Sequence, residues 1–490
     1  MSIENTIDFI EQKAAEFGAK GDSEFNKPYV LRKNISEEAL KDNGAFFGFI
    51  APEEEKSGPY HDFSLVIFPS INGSWLVCLG IGSSGFKNDY ELATFPGVRR
   101  LFSKLVDDNG FCKSDFSDIE TSLPKSFTGI NEIIHIKNTI KTYTKVLPVC
   151  QIITDSESEE GKKVLQAFVA AYAKLRDWST NQSHRNEISK ALNPFLNEES
   201  KKKDIQLIKN LLLERRFVIL QGPPGTGKTR AAKITSDNLN ATTVFTQFHA
   251  ETTFSDFIYG IRPDLQNSQL RYIEKLGDFT KALKKAIENP NKKTVLIIDE
   301  INRANLSNVL GPIFYLFEPK MNNSNVEIEI SPDFKINKLP DNLYVIATMN
   351  TADRSLAVVD FALRRRFAWY DLKPKAIEGK ALKIKAIRLK NGEEREENVP
   401  VIQLEDNQYF FMEDFNQFEE IFNWYATSNE LSLQPGQGYF IAASDEEMMN
   451  RIMYELFPLI KEYLNEGLIK NSKEEFNNYF STRINQSLFE

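Results

Sequence analysis

A glycine-rich segment carries the residue types that bind the phosphates of a nucleotide. It reads Gly222-Pro-Pro-Gly-Thr-Gly-Lys228-Thr229 and fits the pattern G-x-x-x-x-G-K-[ST] at every fixed position. In this pattern backbone N–H groups surround phosphate oxygens, the lysine reaches the terminal phosphates and the final hydroxyl ligates Mg²⁺. The candidate nucleotide-binding residues are therefore Gly222, Pro223, Pro224, Gly225, Thr226, Gly227, Lys228 and Thr229, of which Thr229 is also a candidate metal ligand.

Two acidic residues supply what hydrolysis of a nucleoside triphosphate needs beyond binding. Asp299 and Glu300 directly follow the apolar run Thr294-Val-Leu-Ile-Ile298, which is typical of a buried strand. We expect Asp299 to hold Mg²⁺, directly or through water, and Glu300 to polarise the attacking water. Carboxylates at strand ends are often merely solvated, but their occurrence together with a phosphate-binding loop favours catalysis.

A second apolar run and a group of arginines follow farther along the chain. Residues 343–349 form another buried-strand pattern, so Asn350 at its end is placed to touch the γ-phosphate or the water, or simply ends the strand. The next helix closes with Arg364, Arg365 and Arg366. These are either surface charges that complement the helix dipole or fingers that neutralise the transition state, worth about 10³ to 10⁵ in rate. A finger that acts on a neighbour requires an oligomer, built as a closed head-to-tail ring.

The elements that must position these residues predict an α/β fold. From residue 198 to about 373, strands alternate with helices, which is the pattern of a mostly parallel sheet sandwiched by helices. The glycine-rich segment lies between the strand pattern at 217–220 and a helical pattern that starts near Lys228. Residues 374–490 begin with a charged stretch and end in amphipathic helices, so we expect a mainly helical region with an irregular or hairpin insertion near its start.

The first part of the chain, residues 1–155, predicts a separate α+β domain. The runs 64–68 and 75–79 are rich in strand-forming residues and flank Asn72-Gly73, a strong hairpin signal. Helical patterns lie at 7–17 and 98–105. Between this domain and the α/β domain, residues 156–197 carry helical patterns with one apolar face and predict a helical linker.

Composition indicates an ordinary globular protein. Of the 490 residues, 41% are hydrophobic and 26% are charged. No apolar run approaches the roughly 20 residues that span a bilayer, and the start lacks a signal-peptide pattern, so we expect a cytoplasmic protein without a membrane partner. The three cysteines and four histidines lack metal-ligand spacing. A net charge of −9 argues against an overall nucleic-acid-binding surface and leaves room for a local basic patch.

Longer motifs around these residues resemble the McrB-type AAA+ NTPases. They are Gln247-Phe-His249, Asp256-Phe-Ile-Tyr-Gly-Ile-Arg-Pro263, Ile297-Ile-Asp-Glu-Ile-Asn-Arg-Ala-Asn305, Met349-Asn-Thr-Ala-Asp-Arg-Ser-Leu-Ala-Val-Val-Asp360 and Ala362-Leu-Arg-Arg-Arg-Phe367. The resemblance is close over 198–373 and looser in the C-terminal part, through Pro435-Gly-Gln-Gly-Tyr-Phe440. It implies an AAA+ P-loop NTPase core at 198–373, a helical lid at 374–490 and a hexameric ring.

The resemblance also implies residue roles and partners. Asn350 and Asp353 match the family's N-T-A-D signature and would assist hydrolysis. Arg365 would be the finger that acts on the neighbouring subunit, Arg366 would complete the phosphate contacts and Arg303 would lie at the subunit interface. McrB-type proteins are the motor and DNA-recognition subunits of modification-dependent restriction systems. The resemblance therefore implies modified or foreign DNA bound by the N-terminal domain, and a separate McrC-like nuclease.

Several alternatives stay open at this point. Nothing in 222–229 sets the base of the nucleotide, so GTP and ATP are both candidate substrates, with Mg²⁺ as cofactor. The family often has Gly-His-Ser-Tyr-Phe in the lid where this chain has Gly436-Gln-Gly-Tyr-Phe440. The main alternative function is a protein-remodelling AAA+ ATPase of the MoxR type, because AAA+ modules occur both in DNA-directed and in protein-remodelling machines. Glu378-Gly-Lys380 has a nuclease-like spacing but no convincing preceding strand with Asp, so we expect DNA cleavage from a partner.

Overall fold

A computed structural model describes most of the chain, and the chain divides into two compact units. The described residues are 3–19, 30–42, 44–51, 54, 60–70, 75–118, 143–196, 204–264, 271–318, 327–352, 361–390, 393–405 and 407–489. The first unit comprises residues 1–201 together with 423–427, and the second comprises 202–422 together with 428–490. Among the described residues, no helix has the length and apolar character that crossing a bilayer requires.

The first unit is built on an antiparallel sheet of strand order β1-β2-β3-β4-β6-β5. The strands are β1 Val30–Asn34, β2 Phe46–Ile50, β3 Phe63–Phe68, β4 Trp75–Ile81, β5 Gly110–Cys112 and β6 Val149–Ile153. The strands expected at 64–68 and 75–79 correspond to β3 and β4, which pair with Phe68 opposite Leu76. The Asn72-Gly73 turn that we expected between them lies outside the described residues.

Helices complete the α+β character of this unit. They are α1 Ile3–Glu16, α2 Glu37–Lys41, α3 Tyr90–Thr94, α4 Pro96–Ser103, α5 Glu159–Leu175 and α6 Gln182–Leu196, with a 3₁₀ turn at Thr144–Val146. Side chains of α1, α4, α5 and α6 share one apolar core with β2, β3, β4 and β6.

The helices at 156–197 do not form a separate linker, which differs from our expectation. Phe168 and Tyr172 of α5 are fully buried, and α6 contributes Ile188 and Leu192 to the same core. The reason lies in the alanine-rich stretch of α5, where residues 167–173 are buried in an unbroken run. A helix that is apolar nearly all round must be enclosed by other elements, so α5 belongs inside the first unit.

The second unit contains the parallel sheet that the sequence predicts. Its strands run β15-β7-β14-β11-β8, and every neighbouring pair is parallel. Their bounds are β7 Phe217–Gly222, β8 Thr242–Gln247, β11 Thr294–Asp299, β14 Leu343–Asn350 and β15 Ala368–Asp371. Alternate side chains of one strand enter different cores, with Phe217 and Ile219 on one face and Val218 and Leu220 on the other.

Helices cover both faces of this sheet. On one face, α7 (Asp204–Arg215) and α8 (Lys228–Asp237) bury Ile208, Leu212, Ala231 and Ala232 against the strands. On the other face, α10 (Asp278–Glu288) and α11 (Leu306–Leu310) join the core through residues such as Leu283 and Val309. The sheet is therefore sandwiched between helical layers, as the sequence predicts.

The remaining elements of the second unit are short pieces, two small hairpins and the C-terminal part. The short helices, 3₁₀ and π turns are α9 Phe254–Phe257, α12 Phe361–Arg366, Ile301–Arg303, Gly311–Phe317, Glu430–Leu433, Gln437–Phe440, Ile452–Leu456 and Lys470–Ser472. The small hairpins pair β9 Tyr259–Asp264 with β10 Arg271–Leu276, and β12 Ile328–Ser331 with β13 Phe334–Ile336.

The C-terminal part contains a long hairpin followed by helices. Strands β16 Lys380–Lys390 and β17 Glu393–Gln403 form the hairpin, which β18 Tyr409–Phe410 and β19 Ile441–Ala442 extend to a small sheet. The helices are α13 Met412–Tyr425, α14 Asp445–Arg451, α15 Phe457–Asn465 and α16 Lys473–Ile484. The segment 435–440 contacts the glycine-rich loop, since the N–H of Gly438 donates to the carbonyl oxygen of Gly225 at 2.8 Å.

Candidate active site

The sequence-predicted site residues meet at one edge of the parallel sheet. Strand β7 leads into the loop 222–229, β11 ends at Asp299 and β14 ends at Asn350. Strand β14 lies between β7 and β11. Because parallel strands have their carboxyl ends at the same edge, the loop, the acids and the amide converge there.

The loop 222–229 runs directly into the amino end of helix α8. Gly227 precedes α8 with a φ of 82°, in the left-handed region that a side chain would strain. Thr226 closes the loop on itself, since its Oγ1 donates to the carbonyl oxygen of Pro223 at 2.9 Å. The amino end of α8 therefore faces the loop, and a helix amino end favours anions.

Lys228 is buried at the centre of the site. Its Nζ donates to the carbonyl oxygens of Gly222 (3.0 Å) and Pro223 (2.8 Å) and to Oδ1 of Asn350 (2.6 Å). Burial lowers the pKa of Lys228 to about 8, and the nearby Glu300 and Asp299 carboxylates oppose this shift. The cation is thus held within the loop and close to both acids.

Asp299 and Thr229 form a donor set that fits Mg²⁺. Oγ1 of Thr229 donates to Oδ1 of Asp299 at 2.6 Å, so a hydroxyl and a carboxylate oxygen lie side by side. Oxygen ligands of this kind are the ones that Mg²⁺ takes in proteins, usually from one or two carboxylates with substrate phosphates.

Thr348 is a site residue that our sequence analysis missed. Its Oγ1 donates to Oδ1 of Asp299 at 2.7 Å and accepts the backbone N–H of Glu300 at 3.1 Å. The side chain is buried. The period of a strand supplies a signal that could have found it, because Thr348 lies two residues before Asn350 and therefore on the same face of β14.

Glu300 is held by Asn350 and Arg303. Nδ2 of Asn350 donates to Oε1 of Glu300 at 2.6 Å, and Nε of Arg303 lies 3.5 Å from Oε2. Burial raises the pKa of Glu300, while the arginine and Lys228 act in the opposite direction. The φ of Glu300 is 54°, a strained value for a residue with a side chain. Asn350 thus connects Lys228 to Glu300 through its two amide atoms.

The arginine cluster of α12 lies against a different carboxylate. Nη2 of Arg365 is 2.5 Å from Oε1 of Glu318, and Arg366 donates to the same oxygen. Arg366 is only 8% exposed and stacks over Phe314 at 4.2 Å, whereas the side chain of Arg365 is 66% exposed. Glu318 is a second residue that the sequence analysis missed, and Asp353 lies outside the described residues.

Arg364 has a third environment. Its guanidinium lies 5.1 Å from the ring centroid of Trp369 on the neighbouring strand β15. Arg364 therefore contacts a different group from Arg365 and Arg366, and of these last two it is Arg365 whose side chain is largely exposed.

Comparison with known proteins agrees with this geometry. Residues 217–367 match the family model described as "AAA domain (dynein-related subfamily)". The chain is 41% identical over 178 residues to the type IV methyl-directed restriction enzyme EcoKMcrB subunit of Escherichia coli strain K12, covering 35% of this chain and 38% of that protein. It is 31% identical over 223 residues to the type II restriction enzyme BsuMI component YdiS of Bacillus subtilis strain 168, covering 37% and 65%.

These matches are partial in length. The chain spans less than two thirds of both curated relatives. Among solved structures, the RuvB Holliday junction branch migration motor of Thermotoga maritima overlaps with 38% of this chain and 48% of its own, at 23% identity and a TM-score of 0.22. The sequence matches and the parallel sheet agree on the same segment, so residues 217–367 of this chain match an AAA domain and are similar in sequence to subunits of restriction enzymes.

Proposed function

We propose that this chain hydrolyses GTP or ATP with Mg²⁺ at the site formed by the loop 222–229, Asp299, Glu300 and Asn350. The observation that carries the proposal is the continuous contact from Lys228 through Asn350 to Glu300. This contact sets the phosphate-binding cation and the water-activating acid in one arrangement. Bound Mg²⁺ would offset negative charge on the phosphates, and Thr229 with Asp299 would hold it.

The chain's own residues have distinct tasks in this proposal. Lys228 binds the terminal phosphates, and Glu300 orients and polarises the attacking water. Asn350 fixes the Glu300 carboxylate, and Asp353 assists through the same signature segment. The exposed Arg365 is the finger that reaches the neighbouring subunit's nucleotide, with Arg303 at the same interface. Arg366, which we expected to complete the phosphate contacts, is buried against Glu318 and Phe314 and therefore supports the finger from within its own subunit.

We further propose that the protein forms a hexameric ring, recognises modified or foreign DNA through its first unit and drives a separate McrC-like nuclease. Support comes from the two curated relatives, a subunit of a methyl-directed restriction enzyme and a component of another restriction enzyme. A finger that acts on a neighbour implies a head-to-tail contact, and such contacts form a ring when the rotation between subunits closes.

Phosphate release tests both levels of this proposal. The purified protein is assayed with GTP and with ATP, each with and without methylated DNA and with and without the nuclease encoded by a neighbouring gene. We expect turnover that rises with DNA or nuclease, and DNA cleavage only when the nuclease is present. Glu300→Gln is the control, and it should bind nucleotide and release phosphate at least about 10²-fold more slowly.

Two results would redirect the proposal. Equal phosphate release by the wild type and by Glu300→Gln would contradict hydrolysis at this site. A protein that neither binds DNA nor changes its turnover on addition of DNA or nuclease would contradict the restriction role. Recovery of protein-assembly factors instead of a nuclease in a pull-down would favour the protein-remodelling alternative.

A further inference from the structure

A short lid segment, residues 436–438, is bonded to the backbone of the phosphate-binding loop. The N–H groups of Gly436 and Gly438 donate to the carbonyl oxygens of Pro224 (2.9 Å) and Gly225 (2.8 Å). Between them, Nε2 of Gln437 donates to the carbonyl oxygen of Thr226 at 3.0 Å. Three consecutive loop carbonyls therefore each receive one donor from three consecutive lid residues.

The planarity of the peptide bond turns these contacts into a constraint on the loop amides. In a trans peptide the carbonyl of one residue and the N–H of the next point in opposite directions. Carbonyls held by the lid segment therefore direct the N–H groups of Gly225, Thr226 and Gly227 away from the lid. Within the described part of the chain, none of these three N–H groups has a hydrogen-bond acceptor. Successive unpaired backbone N–H groups of this kind form an anion-binding concavity.

The approach of the two segments is too close for a side chain at residue 436. A Cβ at Gly436 would lie 2.2 Å from the carbonyl carbon of Gly225 and 2.3 Å from the backbone nitrogen of Thr226. Such distances are far below van der Waals contact, and the clashing atoms belong to the backbone. Glycine at 436 is therefore required for the lid segment to reach the loop.

The Gln437 side chain joins this contact to a third segment. Its Oε1 accepts the backbone N–H of Lys375 at 3.3 Å, while its Nε2 holds Thr226. Residue 375 follows β15, so a single amide connects the lid, the loop and the chain beyond the edge strand. An amide serves here because it offers a donor and an acceptor at once.

We propose that the lid segment 436–438 pre-organises the phosphate-binding amides of the loop, with Gln437 as its positioning residue. The inference rests on the proposed nucleotide binding and deepens it. The lid segment acts from the side of the loop opposite to the phosphates, through the peptide planes, and it contributes nothing to recognition of the base.

Gln437→Met tests the proposal because methionine keeps the length of the side chain and removes the donor and the acceptor. Loss of the hydrogen bond to the loop carbonyl of Thr226, worth about 0.5–1.5 kcal/mol, should weaken binding of GTP or ATP by roughly 2- to 13-fold. The KM for hydrolysis should rise by a similar factor, with kcat at saturation changed less than about twofold. Inorganic tripolyphosphate, measured by competition, should lose affinity by the same factor because it occupies only the phosphate sites.

Gln403→Met is the matched control, since Gln403 lies exposed on β17 in the same unit, and it should leave every value unchanged. Gly436→Ala is the second variant and should weaken tripolyphosphate binding more than Gln437→Met does. Thermal unfolding reports whether each variant is folded.

Unchanged affinities in a folded Gln437→Met protein would overturn the inference. So would a loss for GTP or ATP that spares tripolyphosphate, because that result assigns Gln437 to the base. A wild-type protein that binds neither GTP nor ATP would contradict the proposed function instead, so the two failures are distinguishable.

Discussion

At the scale of single residues, the site is a network of charged and polar groups in which one side chain contacts two neighbours at once. Oδ1 of Asp299 accepts from both Thr229 and Thr348, and the amide of Asn350 contacts Lys228 with one atom and Glu300 with the other. Since each group is buried or half-buried, its hydrogen bonds decide its orientation. Removing one hydroxyl should therefore disturb both acids without changing the charge of the site.

Thr348→Val is the substitution that isolates this effect. It keeps the shape of the side chain but leaves Asp299 and the N–H of Glu300 without their shared partner. Leaving buried polar groups unpaired costs about 1–3 kcal/mol, and if this cost falls on the transition state we expect kcat to fall by roughly 5- to 160-fold. Nucleotide affinity should change much less, because the loop 222–229 keeps its contacts.

Thr348→Ser restores the hydroxyl and should recover most of kcat, which a purely steric role for Thr348 would not predict. Steady-state phosphate release together with nucleotide titration measures both quantities. A Thr348→Val protein with wild-type kcat would show that Asp299 and Glu300 do not depend on this hydroxyl.

At the scale of elements, helix α12 and the turn before Glu318 position the side chains of Arg365 and Arg366. Glu318 accepts from both Arg365 and Arg366, although it lies 47 residues before Arg365 in the chain. Arg366 is buried over Phe314, while Arg365 projects outwards. The buried arginine and Glu318 thus hold the base of the cluster, and we propose that the exposed Arg365 extends from it to a neighbouring subunit.

Glu318→Gln tests this support. It leaves the buried Arg366 without a full counter-charge, so we expect a loss of about 1–3 kcal/mol in the free energy of unfolding, and slower nucleotide turnover because Arg365 is no longer held. The matched control is Glu329→Gln, whose carboxylate pairs with Lys335 at 3.4 Å on an exposed hairpin. That change should cost no more than about 0.5 kcal/mol.

Urea unfolding of both variants gives the comparison. If Glu318→Gln and Glu329→Gln prove equally stable and equally active, the Glu318 cluster has no part in positioning the arginines.

The elements also show which features a sequence can predict. Strands β7, β11 and β14 were predictable because each is a short apolar run that ends at a residue able to contact phosphate or metal. Helix α5 was misassigned to a linker, since one apolar face was recognised and its alanine-rich remainder was not read as buried. Glu318 and Gln437 could not be predicted, because their contacts join segments that are distant along the chain and carry no local pattern.

At the scale of the whole molecule, we propose that a second copy of the chain completes the nucleotide site of the AAA domain. Lys228, Asp299, Glu300 and Asn350 converge within one subunit. The exposed Arg365 instead forms an ion pair with Glu318. We propose that this exposed arginine serves the neighbouring site in a ring.

Mixing two inactive variants tests this central claim most directly. Lys228→Ala should lose most of its triphosphate affinity but keep its finger, and Arg365→Ala should bind nucleotide but hydrolyse it poorly. In a mixed ring, a site with an intact Lys228 can receive an intact Arg365 from the adjacent subunit. We predict that phosphate release by mixtures rises above that of either variant alone, with a maximum at intermediate ratios. Phosphate release that never exceeds the sum of the two variants at any ratio, or an Arg365→Ala protein with wild-type turnover, would contradict a finger that acts between subunits.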